Sequence, residues 1–132
     1  MLDRESNQKK AVVFKQLITK CPLCQKSVKG HSIALLASVI LPIEESGRRA
    51  NQVNQLISNR QWTEVARIKE GRQDADMLQY HLLRCPDRGM VLLNFVFTFE
   101  LWSDDWLDSF VILQYEDILE LDRLVDEEWL GL

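Results

Sequence analysis

From Met90 to Leu101 the chain alternates: Leu93, Phe95, Phe97, Phe99 and Leu101 fall on one side of an extended backbone, and Leu92, Asn94, Val96, Thr98 and Glu100 on the other. One of these sides is wholly apolar and has to be covered for the protein to be stable in water. Met77 to Arg84, just upstream, is also rich in residues that suit strands, and between the two runs lies Cys85-Pro86-Asp87-Arg88-Gly89. A proline, an aspartate and a glycine in five residues are the composition of a turn joining antiparallel strands. The sequence therefore predicts an antiparallel hairpin, and a sheet to which the rest of the chain has to adapt.

The flanking segments supply helices. Ala50, Val53, Leu56 and Ile57 repeat at the three-and-four spacing of one helix face, and after the break at Asn59-Arg60-Gln61 the residues Trp62, Val65, Ala66 and Ile68 mark a second short helix that Gly71 is expected to cap. The stretch from Leu56 to Ile68 is similar to the middle of a tetratricopeptide unit, a resemblance that implies a helix pair; no second copy follows, so it does not imply an array. Ile118, Leu121, Leu124 and Val125 place a terminal amphipathic helix within Glu116 to Trp129, after an apolar strand from Phe110 to Leu113. Two segments are ambiguous. Ala11 to Ile18 fits helical spacing through Val13 and Leu17, although Val12-Val13-Phe14 suits a strand, and the reading leans to helix. Ser32 to Ile40 is nearly continuous in apolar residues, where Ala34, Leu35, Leu36 and Ala37 favour a buried helix over a central strand. The expected architecture is α+β: a small antiparallel sheet from the C-terminal half, packed with a helical hairpin and a C-terminal helix, in a single domain spanning 1–132 with residues 1–8 frayed.

The chemistry-bearing residues are few. Cys21-Pro22-Leu23-Cys24 offers two sulfurs with little chain distortion, and His81-Leu82-Leu83-Arg84-Cys85 offers an imidazole and a third sulfur four residues apart. Cys21, Cys24, His81 and Cys85 would make the four ligands of a structural zinc site, with a helix the better scaffold for the second pair. Cys21-Pro22-Leu23-Cys24 and Cys85-Pro86-Asp87-Arg88-Gly89 each resemble a zinc-ribbon knuckle, whose pattern is Cys-Pro-x-Cys-Gly on a hairpin. The first has Gln25 where glycine is usual, and the second has Arg88 where the last cysteine would stand. The resemblance implies that His81 replaces the missing ligand or that the site persists as a metal-free turn. The alternative is that Cys21 and Cys85 are small buried hydrophobes.

Other chemistries find little support. A redox Cys-x-x-Cys needs a strand-helix framework that is absent around residue 21. His31 reads as a surface histidine, His81 as a half-buried one, and Asp104-Asp105 as solvated neighbours; no glycine-rich phosphate loop occurs. The chain is therefore expected not to be an enzyme.

Charge is unevenly distributed. The net charge is -4, yet the acids concentrate after residue 99, where Arg123 is the one cation. Such asymmetry can dock the acidic end onto the basic part, drive self-association or recruit a basic partner. Trp102, Asp104, Asp105, Trp106 and Asp108 combine aromatic anchors with carboxylates and are the expected partner-binding residues, complementary to a basic protein surface. The leading expectation is a non-enzymatic protein-interaction or assembly domain. The alternative is a nucleic-acid-binding module that uses Lys9, Lys10, Lys15, Lys20, Lys26 and Lys29, followed by Arg48, Arg49 and Arg60. A polar N-terminus without a secretory pattern, no apolar run long enough to span a bilayer, and an odd number of cysteines lead to the expectation of a cytoplasmic location.

Overall fold

The computed structural model describes residues 19–41, 46–71, 76–97 and 111–132. Five strands form one antiparallel sheet: β1 (Ser32–Leu41), β2 (Asp76–Cys85), β3 (Gly89–Phe97), β4 (Val111–Ile112) and β5 (Leu130–Gly131), in the order β4-β3-β2-β1-β5. Among the described residues three helices accompany it, α1 (Ser46–Ser58), α2 (Trp62–Ala66) and α3 (Tyr115–Leu124), and the fold is α+β as expected. The segment 11–18, expected to be helical, and the residues expected at the partner-binding surface, Trp102, Asp104, Asp105, Trp106 and Asp108, lie outside the described residues.

The hairpin forms where the turn chemistry places it. β2 and β3 pair from Met77 with Phe97 to Cys85 with Gly89, leaving Pro86, Asp87 and Arg88 as the loop. Gly89 closes this loop at φ +104, a conformation that a Cβ disfavours. Ser32 to Leu41 is a strand, not the helix that its alanines and leucines favour. β1 lies between β2 and β5 and is covered on both faces, so a continuous apolar run suits a central strand, and burial overrides the modest helical preference. A bulge between Leu35 and Ala37 shifts its register against β2.

Strand alternation separates two cores. On one face Ala34, Ala37 and Val39 of β1, Leu78, Tyr80 and Leu82 of β2, and Met90 and Leu92 of β3 pack with Val53 and Ile57 of α1, Trp62 and Val65 of α2, and Leu121 and Val125. On the opposite face Ile33, Leu83, Cys85, Val91 and Leu93 pack with Cys21 and Val28 from the segment before β1.

The helical hairpin has the expected form, except that α2 stops at Ala66 with Arg67 as its C-cap; Gly71 does not cap it. Beyond α2 the chain runs along the edge of β1. The Ser38 amide donates to the Ile68 carbonyl, the Glu70 amide to the Ser38 carbonyl, and the Ile40 amide to the Glu70 carboxylate at 3.0 Å. These bonds occupy edge groups that would otherwise offer a template for another strand. The terminal helix ends earlier than its spacing predicts. After Leu124 come a 3₁₀ turn (Asp126–Glu128) and β5, which pairs Leu130 with Ile33 and Gly131 with Ser32.

Three carboxylates of the acidic end, Asp117, Asp122 and Glu128, take part in this docking. Asp117 Oδ1 accepts a 2.9 Å hydrogen bond from the buried Trp62 indole, while Oδ2 pairs with Arg60 at 3.4 Å and accepts from the Gln114 amide to close a capping box. Asp122 pairs with Arg84 and accepts the Trp129 indole proton at 2.9 Å, while the Arg84 guanidinium lies 3.9 Å from the centre of the Trp129 ring. Glu128 pairs with Lys69. Of the three outcomes the charge asymmetry allows, intramolecular docking is the one these contacts realise.

A candidate metal centre

The segment from Lys20 to His31 is a knuckle built on backbone hydrogen bonds. The Cys21 amide donates to the Lys26 carbonyl at 2.8 Å and the Gln25 amide to the Cys21 carbonyl at 2.9 Å, closing the turn around Pro22 and Leu23. Lys20 and Ser27 form an antiparallel bridge, and the Val28 amide donates to the Thr19 carbonyl. The turn needs a left-handed residue, and Gln25 takes that conformation at φ +62, at the position where a zinc-ribbon knuckle carries glycine. An L side chain costs about 1 to 2 kcal/mol there, and glycine's extra unfolded-state freedom costs about 0.5 to 1 kcal/mol. Gln25→Gly is therefore expected to stabilise the protein by up to about 1 kcal/mol and to leave metal affinity unchanged in a denaturant titration with and without metal. Destabilisation would show that the hydrogen bond from the Gln25 side-chain Nε2 to the Pro22 carbonyl matters more than the strain.

The return of the knuckle toward β1 brings His31 beneath it. Cys21, Cys24, His31 and Cys85 each direct one ligand atom into a common space, all within 4.8 Å of one another. Cys85 arrives from the end of β2, so the cluster ties the knuckle to the central hairpin. Cys21, His31 and Cys85 are buried and Cys24 is partly exposed. Three of the four residues expected from the sequence are here, and the fourth differs. His81 sits on β2 opposite Leu35 and Leu93, on the same face as Cys85 but four strand residues away, which is about 13 Å of rise. A strand cannot bring these two side chains to one ion, whereas a helix turn could. His31, expected on the surface, is 4% exposed and takes that place.

The Cys24–His31 separation is that of two ligands on a single tetrahedral ion. With metal–sulfur bonds of about 2.3 Å and metal–nitrogen bonds of about 2.05 Å, tetrahedral ligands lie about 3.8 Å apart for two sulfurs and about 3.6 Å for sulfur and nitrogen. The Cys24 sulfur is 3.6 Å from His31 Nε2. All three cysteines are free thiols, so no disulfide competes for the sulfurs. The Leu23 amide donates to the Cys21 sulfur at 3.3 Å, a bond that favours the thiolate a metal requires.

Without a metal the sulfurs have divergent acidities. A hydrogen bond from the Lys26 backbone is the main factor that lowers the Cys24 thiol from 9.0 to about 7, with His31 and the other two thiols contributing. Burial pushes Cys21 up to about 11, only partly offset by hydrogen bonds from the Cys24 and Leu23 backbone. In the metal-free folded protein, iodoacetamide is expected to modify Cys24 with a midpoint near pH 7 while Cys21 stays protected until well above pH 9, as read by peptide mass spectrometry. The signs oppose each other. The depressed Cys24 value adds stability that is present above pH 9 and lost as pH falls through 7; the raised Cys21 value adds stability that is present below pH 9 and lost as pH rises through 11. Equal alkylation of both thiols at pH 7.5 would contradict this arrangement.

No protein-family model, curated protein or solved structure matches the chain. No described helix is long and apolar enough to cross a membrane.

Proposed function

We propose that the chain is a non-enzymatic protein-interaction or assembly domain, held in shape by a structural zinc ion on Cys21, Cys24, His31 and Cys85. The observation that carries this reading is the convergence of three sulfurs and one imidazole within 4.8 Å. Four protein ligands fill a tetrahedral ion and leave no position for a substrate, the arrangement of a structural rather than a catalytic zinc. Thiolate and imidazole donors favour zinc over magnesium, calcium or manganese. The zinc-ribbon likeness of the two turns agrees with this use, with His31 in the place of the fourth cysteine.

The test separates the two histidines. His31→Ala is expected to lower zinc affinity by at least about 100-fold, His31→Cys to retain a stoichiometric ion, and His81→Ala to leave zinc content unchanged by elemental analysis. Unaltered zinc in His31→Ala, or its loss in His81→Ala, would overturn the assignment.

The contact surface we propose is the acidic segment containing Trp102, Asp104, Asp105, Trp106 and Asp108, with a basic protein as its complement. The support is its composition, together with the exposure of Ile112 and Tyr115 immediately downstream. Asp104→Asn, Asp105→Asn and Asp108→Asn combined are expected to abolish recovery of the partner in a pulldown while the far-ultraviolet circular dichroism stays that of the wild type. Undiminished recovery would exclude that surface.

A further inference from the structure

Cations and carboxylates are unevenly matched among the described residues. Arg60, Arg67, Lys69 and Arg84 pair with Asp117, Glu64, Glu128 and Asp122. Lys20, Lys26 and Lys29 on the knuckle and Arg88 on the β2–β3 loop are exposed and make no ion pair among the described residues, although the same chain carries a surplus of acids. The knuckle from Thr19 to His31 has no Asp or Glu at all, and the β2–β3 loop has Asp87. Both turns meet at the Cys21–Cys24–His31–Cys85 centre, which holds these four cations on one end of the molecule. The C-terminal segment also reaches this end, where the Gly30 amide donates to the Leu132 carbonyl and Arg84, next to Cys85, pairs with Asp122, yet none of its described carboxylates pairs with these four cations.

We propose that Lys20, Lys26, Lys29 and Arg88 form a binding surface for the phosphodiester backbone of duplex nucleic acid. The proposal rests on the centre being a closed structural clamp, because the knuckle must be rigid to present its lysines in a fixed array. Three features favour a polynucleotide over an acidic protein. The large exposed apolar side chains among the described residues, Ile112, Tyr115 and Leu119, belong to β4 and α3, so the knuckle offers no aromatic or aliphatic anchor of the kind that protein interfaces depend on. No aromatic residue occurs in 19–31 or 84–89, so there is no platform on which unstacked bases could rest, and a duplex suits the surface better than a single strand. Lysines acting as point charges on an evenly charged polymer gain from counterion release and need no further complementarity. The contacts would position the duplex without reading its sequence. The surface is narrower than the basic set read from the sequence, since Arg60 is committed to Asp117 and Arg88 joins from the second turn.

The test is fluorescence anisotropy of a labelled 20-base-pair DNA duplex titrated with the zinc-loaded protein between 50 and 200 mM KCl. Four phosphate contacts give a slope of log affinity against log salt of about -3.6, a loss of about 100-fold across that range. The combined variant Lys20→Gln, Lys26→Gln, Lys29→Gln and Arg88→Gln is expected to lose at least about 50-fold in affinity at 50 mM salt with its zinc content intact, whereas Arg67→Gln binds as the wild type does. A duplex of unrelated sequence is expected to bind equally. Absence of binding at 50 mM salt, a slope shallower than about -1, an unaffected quadruple variant, or tighter binding of poly-glutamate than of the duplex at equal charge would each overturn the proposal. Zinc measured on the same samples keeps the two questions apart: stoichiometric zinc without duplex binding removes this inference and leaves the clamp, while absent zinc removes the clamp itself.

Discussion

Cys85→Ser, or treatment of the wild type with a strong chelator, is expected to lower the thermal unfolding midpoint by at least about 10 °C and to free the knuckle from the sheet. Structural zinc binding is worth roughly 10 to 16 kcal/mol in small peptides that fold around it, and a domain's whole stability is commonly about 5 to 15 kcal/mol. Part of the first figure is lost here because a core without any metal ligand, built on the other face of the sheet around Trp62, Tyr80 and Leu82, persists. If about 3 to 4 kcal/mol remains tied to the ion, a protein of this length shifts by about 10 to 15 °C. The loss should be local first. Hydrogen exchange is expected to accelerate at the amides of Cys21, Gln25 and Val28 and at Gly30 and Leu132, whose hydrogen bonds hold the knuckle to itself and to the chain's last residue. The amides of α1 and α2 should respond only as global stability falls. An unchanged melting curve and unchanged exchange after metal removal would mean that the four ligands are merely neighbours in a dry core.

Trp62→Ala is expected to cost about 3 to 5 kcal/mol, the range for removing a large aromatic from a core. Trp62 is 1% exposed and packs where both helices of the hairpin and α3 meet the sheet. Its indole proton is also one of the contacts that hold Asp117, an acid at 8% exposure that joins α2 to α3 through Arg60, Trp62 and the Gln114 amide. Trp62→Phe keeps most of the apolar volume and withdraws the donor, so it should cost less, about 1 to 3 kcal/mol, the usual cost of leaving a buried acceptor unpaired. Asp117→Asn tests the same junction from the other side. Urea titrations of the single variants and of the Trp62→Phe/Asp117→Asn double variant are expected to show coupling of about 1 kcal/mol or more, and strict additivity would argue that the bond contributes nothing.

The parts of the fold that were legible in the sequence are those with a distinct period or a distinct turn. The β2–β3 hairpin could be read because Cys85-Pro86-Asp87-Arg88-Gly89 interrupts two strand-like runs, α1 because Ala50, Val53, Leu56 and Ile57 repeat at helical spacing, and α2 because Trp62, Val65 and Ala66 do so after the break at Asn59-Arg60-Gln61. β1 could not, because Ser32 to Leu41 is apolar nearly throughout and a continuous run carries no period; its identity depends on being covered on both faces. β5, just beyond the expected terminal helix, could not be read either, since two residues are too short for a pattern and their strand state exists only through pairing with Ser32 and Ile33.

The candidate site was legible in its sulfurs and not in its imidazole. His81 attracts attention by lying four residues from Cys85, but that spacing serves one ion on a helix and separates the pair on a strand. His31 lies seven residues after Cys24, and what brings it back is the turn that Gln25 makes in a left-handed conformation and the bridge from Lys20 to Ser27. The available signal was Gly30 beside it and the nearly continuous apolar run that follows, which has to be buried whatever its conformation. The acidic end was legible as a charge excess, whereas its use against Arg60, Lys69 and Arg84 emerges only from the packing of α3 and the turn after it.

X-ray absorption at the zinc edge of the purified protein, together with elemental analysis, tests the central claim most directly. One zinc per chain, coordinated by three sulfurs at about 2.3 Å and one nitrogen at about 2.0 to 2.1 Å and losing the nitrogen shell in His31→Ala, is the predicted result. A protein that folds identically with no stoichiometric metal, or a bound ion whose nitrogen shell survives in His31→Ala, would contradict the account.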